Sequence, residues 1–287
     1  MKKKPWLFFA LITTIFWGVW GAFIEIPEKA GFPATLGYVV WATTMIFPAA
    51  VALGIKGWKL ETGKRAIFHG LLIGFTGSAG QLILFQALRG GPAYLVFPLV
   101  SLSPIVTIFL SILLLKEKAS AKSWIGIGLA LVAIPLLSYQ PAGNDQKFGF
   151  LWVVFALLVF ILWGLQAYFI KIANQHMEAE SIFFYMMVAG IALIPVAFFM
   201  TDFSDQINWG VKGPWLAAGI QVLNAIGALF LVYAFRYGKA IIVSPLTNAG
   251  APVITIVLSL VIYGVFPHGV ILTGMVLAVF SIFLLAD

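Results

Sequence analysis

Amide and indole side chains are the groups in this chain best placed to do chemistry. Gln81, Gln166, Gln221, Asn224 and Asn248 lie inside long apolar runs, and so do Trp17 and Trp163. Each amide both donates and accepts hydrogen bonds, and an indole offers a flat face plus one N–H donor. Polar groups in such runs turn inward, because unpaired polarity in an apolar medium is costly. For any one of them a bond to a neighbouring helix is an ordinary outcome; as a set they describe a polar pocket without formal charge. Trp20 and Trp41 lie deep as well, whereas Trp6 and Trp152 stand near the ends of their runs, where aromatic residues mark an interface.

Four prolines form the second feature. Pro98 and Pro104 share one apolar run, and Pro245 and Pro252 share another. Each lacks a backbone N–H and kinks a helix, so the two pairs are expected to act in gating. Ser101 and Ser103 lie between the first pair, and Asn248 lies between the second.

The residue types that are missing narrow the chemistry further. His69, His176 and His268 are scattered near loops without carboxylates at ligand spacing, so no metal site is expected. There is no cysteine and no Gly-x-Ser-x-Gly nucleophile turn. No catalytic residue, no cofactor and no enzymatic activity is therefore predicted. No Asp, Glu, Lys or Arg falls near the middle of an apolar run. A carrier of organic cations would need a buried carboxylate, so its absence favours a neutral or zwitterionic ligand. Arg89 and Arg236 stand at run ends, where snorkelling accounts for them.

The elements that must position these residues follow from composition. Apolar residues make up 62% of 287 positions and charged residues 9%, far below the roughly 25% charged of a soluble domain. Runs of about 20 apolar residues are membrane-spanning helices. Ten are read, at 6–26, 34–54, 66–88, 92–115, 122–139, 148–170, 181–200, 213–236, 239–264 and 268–286. With the N-terminus inside, thirteen Lys and Arg residues face the cytoplasm and four, Lys29, Arg89, Lys147 and Lys212, face away. That bias puts both termini in the cytoplasm. It also accounts for the formal charge of +7 without nucleic acid. The apolar run after Met1-Lys2-Lys3-Lys4 reaches about Ile24 with no small-residue cleavage site, so it reads as the first span and not a signal peptide.

The chain also repeats itself. Residues 87–99 shifted by 147 match 234–246 at seven of thirteen positions, including Arg89 with Arg236 and Pro98 with Pro245. At a shift of 148, Pro104 and Thr107 recur as Pro252 and Thr255. At a shift of 146, Trp17-Gly18 recurs as Trp163-Gly164 and Phe23-Ile24 as Phe169-Ile170. Two copies make a two-unit architecture, with units 1–139 and 148–287 around an external linker at 140–147. Five spans per unit is an odd number, so the second unit enters the bilayer inverted. The fold class is thus an all-α integral membrane protein of ten transmembrane helices in two inverted five-helix repeats. Inverted repeats go with alternating-access transport, the solute lying near the midplane between units.

At this level the residues resemble a known group. Phe16-Trp17-Gly18, Ala87-Leu88-Arg89 before a short turn, Pro104, Leu113-Leu114-Leu115-Lys116-Glu117-Lys118 and the span holding Gly126 resemble the EamA-type ten-helix transporters of the drug/metabolite transporter superfamily. The similarity covers the whole chain as two copies. It implies transport of small metabolites across an inner or plasma membrane. In the second copy Gly264-Val265-Phe266-Pro267 stands where the family often has Gly-Glu, so a structural role for that glutamate is not expected there. Gly31-Phe32-Pro33-Ala34-Thr35-Leu36-Gly37 is similar to bacterial sugar-uptake relatives and, with the deep tryptophans and amides, tips the expected solute toward a sugar. Amino-acid, general metabolite or drug export is the second reading, and a channel or membrane sensor a distant third. The expected partners are a small-molecule substrate and the lipid bilayer, not nucleic acid, with the protein a monomer or homodimer.

Overall fold

The computed structural model describes residues 4–91, 93–139, 150–264 and 266–286, and these are helical with no strand among them. The expected linker 140–147 and the side chain of Pro98 lie outside the described residues. In chain order the helices are α1 (Pro5–Phe23), α2 (Glu25–Lys29), α3 (Ala34–Thr44), α4 (Ile46–Ile55), α5 (Lys64–Gly90), α6 (Ala93–Ser101) and α7 (Pro104–Leu113). There follow α8 (Ala121–Leu137), α9 (Leu151–Ala173), α10 (Ala179–Ala192), α11 (Ile194–Met200), α12 (Leu216–Tyr237), α13 (Ala240–Tyr263) and α14 (Gly269–Ala286). Among the described residues, eight segments are long and apolar enough to cross a bilayer, each overlapping an expected span. The runs expected at 92–115 and 122–139 fall in shorter apolar helices, Leu99–Leu113 and Ala121–Leu137.

Prolines account for the breaks inside these segments. A proline cannot bond to the carbonyl four residues back. Pro27 follows the break after Phe23, Pro48 the break at Met45, Pro104 the break at Leu102–Ser103 and Pro195 the break at Leu193. Pro48 and Pro195 are themselves 147 apart. The two expected gating pairs differ in outcome: Pro104 starts a new helix, whereas Pro245 and Pro252 lie within the continuous α13. The matched kinks of the repeat are thus a break in one copy and a tolerated pair in the other.

Packing follows the repeat in detail. Helix α1 packs on α12 and α13, and α9 packs on α5 and α7, so each unit lends its first long helix to the other. Gly18 of α1 fits against Ile254 and the Ala251 carbonyl of α13; Gly164 of α9 fits against Val106 and the Ser103 carbonyl. Residues 103 and 106 become 251 and 254 at the shift of 148. The Thr255 hydroxyl donates to the Gly18 carbonyl at 2.9 Å, and the Thr107 hydroxyl donates to the Gly164 carbonyl at 3.0 Å. Glycine is needed at this crossing, because an added Cβ would stand 2.9 Å from the Ala251 oxygen at Gly18 and 2.8 Å from the Ser103 oxygen at Gly164. Substituting Gly18→Val or Gly164→Val is expected to cost about 1–3 kcal/mol through overpacking. Thermal unfolding of the purified protein would then show a lowered Tm for both, and an unchanged Tm would deny the close approach.

Trp6 and Trp152 also obey the repeat. They pack against Gly238 and Gly91, the turn glycines of the opposite copies. A place in the interfacial belt does not account for that contact. Helices α8 and α14 pack together through Gly126 against Leu284 and Leu285, while nothing stands within 4 Å of a Cβ added at Gly128. Large apolar side chains such as Phe8, Phe47, Phe68, Phe109, Phe199 and Phe283 are exposed on the outside. On a water-soluble surface that area would aggregate; against lipid tails it is at home.

Candidate functional site

The predicted amides and indoles gather into two clusters that repeat each other. In the first, on α1 and α12, the Trp17 indole N–H donates to the Asn224 carbonyl at 3.3 Å, and the ring fills the space left by Gly227. The Trp20 indole donates to Gln221 Oε1 at 3.0 Å, and Gln221 Nε2 donates to the Gly37 carbonyl of α3 at 3.3 Å. In the second, on α9 and α5, the Trp163 indole donates to the Gly77 carbonyl at 3.3 Å, its ring lying over Gly80. The Gln166 amide sits directly on Gly77. Gly77 and Gly80 become 224 and 227 at the shift of 147.

These bonds sort the candidates. Trp17, Trp163 and Gln221 tie one unit to the other through their polar atoms. Asn248 donates to the Ser244 carbonyl of its own helix at 2.9 Å and joins neither cluster. Gln81, Gln166 and Asn224 are half-buried and their amides have no hydrogen-bond partner among the described residues, so they retain free donors and acceptors. Trp41, whose ring lies tilted against Tyr38 at 5.3 Å, has a buried indole N–H that is likewise unpaired.

The charged groups collect at the end of the bundle that carries Lys56, Lys59, Lys64, Arg65, Lys171 and Lys239, here termed the basic end. Arg236, at the close of α12, does not snorkel. Its Nη2 pairs with Glu178 Oε1 at 2.8 Å and its Nη1 donates to the Met177 carbonyl at 2.9 Å. Lys56 reaches Glu178 Oε2 at 3.3 Å and Glu180 Oε1 at 3.8 Å. Glu61 accepts from the Glu178 backbone N–H at 2.7 Å, and the Tyr185 hydroxyl donates to the Glu61 carbonyl at 2.7 Å. Lys171 donates to the Phe235 carbonyl at 2.9 Å and to the Gly238 carbonyl, and faces Glu117 at 4.0 Å. Glu117 in turn accepts from the Ile241 N–H at 3.1 Å, capping the start of α13. That is a structural use for the glutamate of the first copy; its counterpart, Val265, lies outside the described residues.

A cleft of about 220 Å³ opens in this network, lined by Glu61, Asn174, His176, Glu178 and Arg236 among others. At the opposite end, hydroxyl, amide and arginine side chains make bonds across the units. Thr201 and Thr35 hydroxyls meet at 2.7 Å, the Asn208 amide donates to the Ala30 carbonyl at 2.9 Å, and Arg89 donates to the Met200 carbonyl at 2.7 Å.

One buried charged group carries no mark in the local sequence. Glu180, in the first turn of α10, is 3% exposed. It receives the Tyr233 hydroxyl at 2.6 Å on Oε1, while Oε2 is buried with no hydrogen-bond partner. A buried carboxylate therefore exists where none was expected. It fell one residue outside the expected span 181–200, and its burial comes from α12 and from Lys56, far off in sequence.

Two titrating groups give this end a pH response. Burial pushes the His176 imidazole below its ordinary 6.5, and the Arg65 and His69 charges push the same way. Burial would raise the Glu178 carboxyl, but the hydrogen bond and charge of Arg236, with those of Lys56, outweigh it and hold the group below 4.5. Both depressed groups add stability above their ordinary values, and that stability is lost as pH falls through the folded-state values. The Tm is therefore expected to fall in two stages, starting below about 6.5 for His176 and below about 4.5 for Glu178. His176→Gln removes the first stage and Arg236→Met shrinks the second. A Tm independent of pH over both windows would contradict these assignments.

A helical membrane protein built twice over, with paired polar clusters between the copies, is the class these features define. The EamA-like transporter family model matches residues 4–139 and again 150–286. The chain belongs to the EamA-like transporter family, within the drug/metabolite transporter superfamily, and is a membrane transporter. It is 32% identical over 128 residues to an uncharacterised protein of Methanocaldococcus jannaschii, matching 45% of this chain and 92% of that one. It is 23% identical over 224 residues to protein LicB of Haemophilus influenzae, covering 70% and 75% of the two chains. An uncharacterised transporter of Helicobacter pylori is 22% identical over 244 residues, covering 82% and 79%. A crystal structure at 18% identity superposes with a TM-score of 0.76 over 97% of this chain and 98% of the other, which bears on the fold alone.

Proposed function

We propose that the chain is a secondary transporter of ten spans that carries a small neutral or zwitterionic solute across the cytoplasmic membrane by alternating access, the solute being sugar-like. The observation that carries this reading is the reciprocal pairing of Trp17 with Asn224 and of Trp163 with Gly77. Each first helix of a five-span unit docks on the other unit through the same contacts. Such exchange is what a pseudo-two-fold axis in the membrane plane would produce, with units 1–139 and 148–287 inverted about the linker 140–147. The lysine-rich basic end and both termini then face the cytoplasm.

The solute site lies between the paired clusters. Gln81, Gln166 and Asn224 supply the free amides, and Trp17 and Trp163 supply ring faces. Asn248 and the proline-bearing segments at Pro98, Pro104, Pro245 and Pro252 bend as the units rock. None of the amides and indoles assigned to the site carries a charge, which favours uncharged or zwitterionic solutes. Amino-acid or general metabolite export is the alternative, and it uses the same residues. The test is a thermal-shift screen of the detergent-purified protein against sugars, amino acids, nucleosides and cationic dyes, since a ligand bound by the folded state raises Tm by mass action. A shift with sugars, followed by their uptake into proteoliposomes, supports the reading. A shift with cationic dyes alone rejects it.

A further inference from the structure

We propose that Glu180 is a proton-binding site that unlocks the basic end of the bundle, an inference that rests on the transporter reading. Four observations converge on it. The carboxylate is 3% exposed, it has a buried oxygen without a partner, it joins three distant segments, and a cleft reaches the ion pairs beside it. A buried unpaired carboxylate oxygen is costly, and a proton taken up on Oε2 removes the charge that makes it so.

The groups that face Glu180 determine the effect of that proton. From α12 come Tyr233, which donates to Oε1, and Arg236, which is held by Glu178. After α4 comes Lys56, shared between Glu180 and Glu178, and before α5 comes Glu61, bound to the Glu178 N–H. Tyr185 of α10 itself points to the Glu61 carbonyl. His176 contacts His69 of α5, ring to ring at 4.9 Å. When a proton binds Oε2, the carboxylate becomes a neutral acid. Tyr233 can still donate to Oε1, but Lys56 loses one of its two anions. The attraction that ties α10 to the end of α4 is thereby weakened, so the protonated state favours movement of α10 away from its present seat. A bound metal cation is a poorer fit, because no group of three or more ligating side chains occurs among the described residues and the Lys56 ammonium already stands at the carboxylate.

The chain has no cysteine, so reporters are simple to install. Lys59 precedes α5 and Gln175 precedes α10, and both are exposed and outside the ion pairs of the network. Spin labels on Lys59→Cys and Gln175→Cys are expected to move apart as pH is lowered. Infrared difference spectra of the same protein are expected to show the C=O band of a buried carboxylic acid growing in. Glu180→Gln should abolish the band and fix the labels at the wider distance at every pH, while Glu178→Gln should keep the band. Tyr233→Phe removes the hydrogen bond to Oε1, so the C=O band of the acid should move in frequency; this variant serves if Glu180→Gln fails to fold. A band that survives in Glu180→Gln, label distances in that variant that respond to pH as in the parent, or an unmoved band frequency in Tyr233→Phe would overturn the proposal. These readouts need no substrate. If Glu180 titrates as described while no solute is moved, the transport reading fails and the proton site stands.

Discussion

A protein carrying Thr35→Cys and Thr201→Cys is expected to lose solute flux to the level of empty liposomes on oxidation and to regain it on reduction. The two hydroxyl oxygens meet at 2.7 Å across the units, so the Cβ atoms lie near the ~3.8 Å separation a disulfide requires. No native cysteine competes. Thr35 begins α3 of the first unit and Thr201 ends α11 of the second, so the bond fastens one end of the bundle without touching the amide clusters. At the other end, Lys56→Cys and Glu178→Cys joined by a short bis-thiol reagent should have the same effect, because Lys56 and Glu178 bridge the units there at 3.3 Å. If the solute passes by rocking of the units, closing either end permanently stops turnover. Flux that continues with both cross-links verified by mass would mean that the units do not separate at these ends.

The second large effect divides the candidate site by what each polar atom already does. Gln81 and Asn224 offer side-chain amides with no partner among the described residues. The double variant Gln81→Ala, Asn224→Ala should keep its Tm and raise KM for the solute about tenfold, since each lost hydrogen bond costs about 0.5–1.5 kcal/mol. Gln221→Ala should behave differently. It strands the Trp20 indole N–H and removes the bond to the Gly37 carbonyl, which costs about 1–3 kcal/mol of stability and lowers Tm before transport is considered. Equal effects of the two variants on Tm and on KM would show that the division into binding and docking groups is misplaced.

How much of this was legible in the sequence depends on whether the information is local. The helices and the duplication are local or periodic: apolar runs mark the first, and Arg89 with Arg236 or Gly18 with Gly164 mark the second. The exchange of first helices is not local. Nothing near Trp17 says that its indole will meet Asn224, and only the return of the same contact at Trp163 and Gly77 makes the logic visible. Prolines at 48 and 195 break their spans as Pro104 does, yet their 147-residue offset falls outside the best-matching stretches of the repeat. Arg236 read as a snorkelling end residue because its partner, Glu178, lies 58 positions earlier. Glu180 stayed hidden for the same reason: hydropathy ends a span at the first charge, and only tertiary contact buries that charge.

The most direct test of the central claim is access to the site from each side of the membrane. A single Asn224→Cys, in proteoliposomes of known orientation, would be exposed to a membrane-impermeant thiol reagent from inside or from outside. Labelling is expected from both sides in the free protein. Labelling should come only from the basic side once the Thr35–Thr201 positions are locked, and only from the opposite side once Lys56 and Glu178 are joined. Labelling from one side alone, whatever the lock, would contradict alternating access.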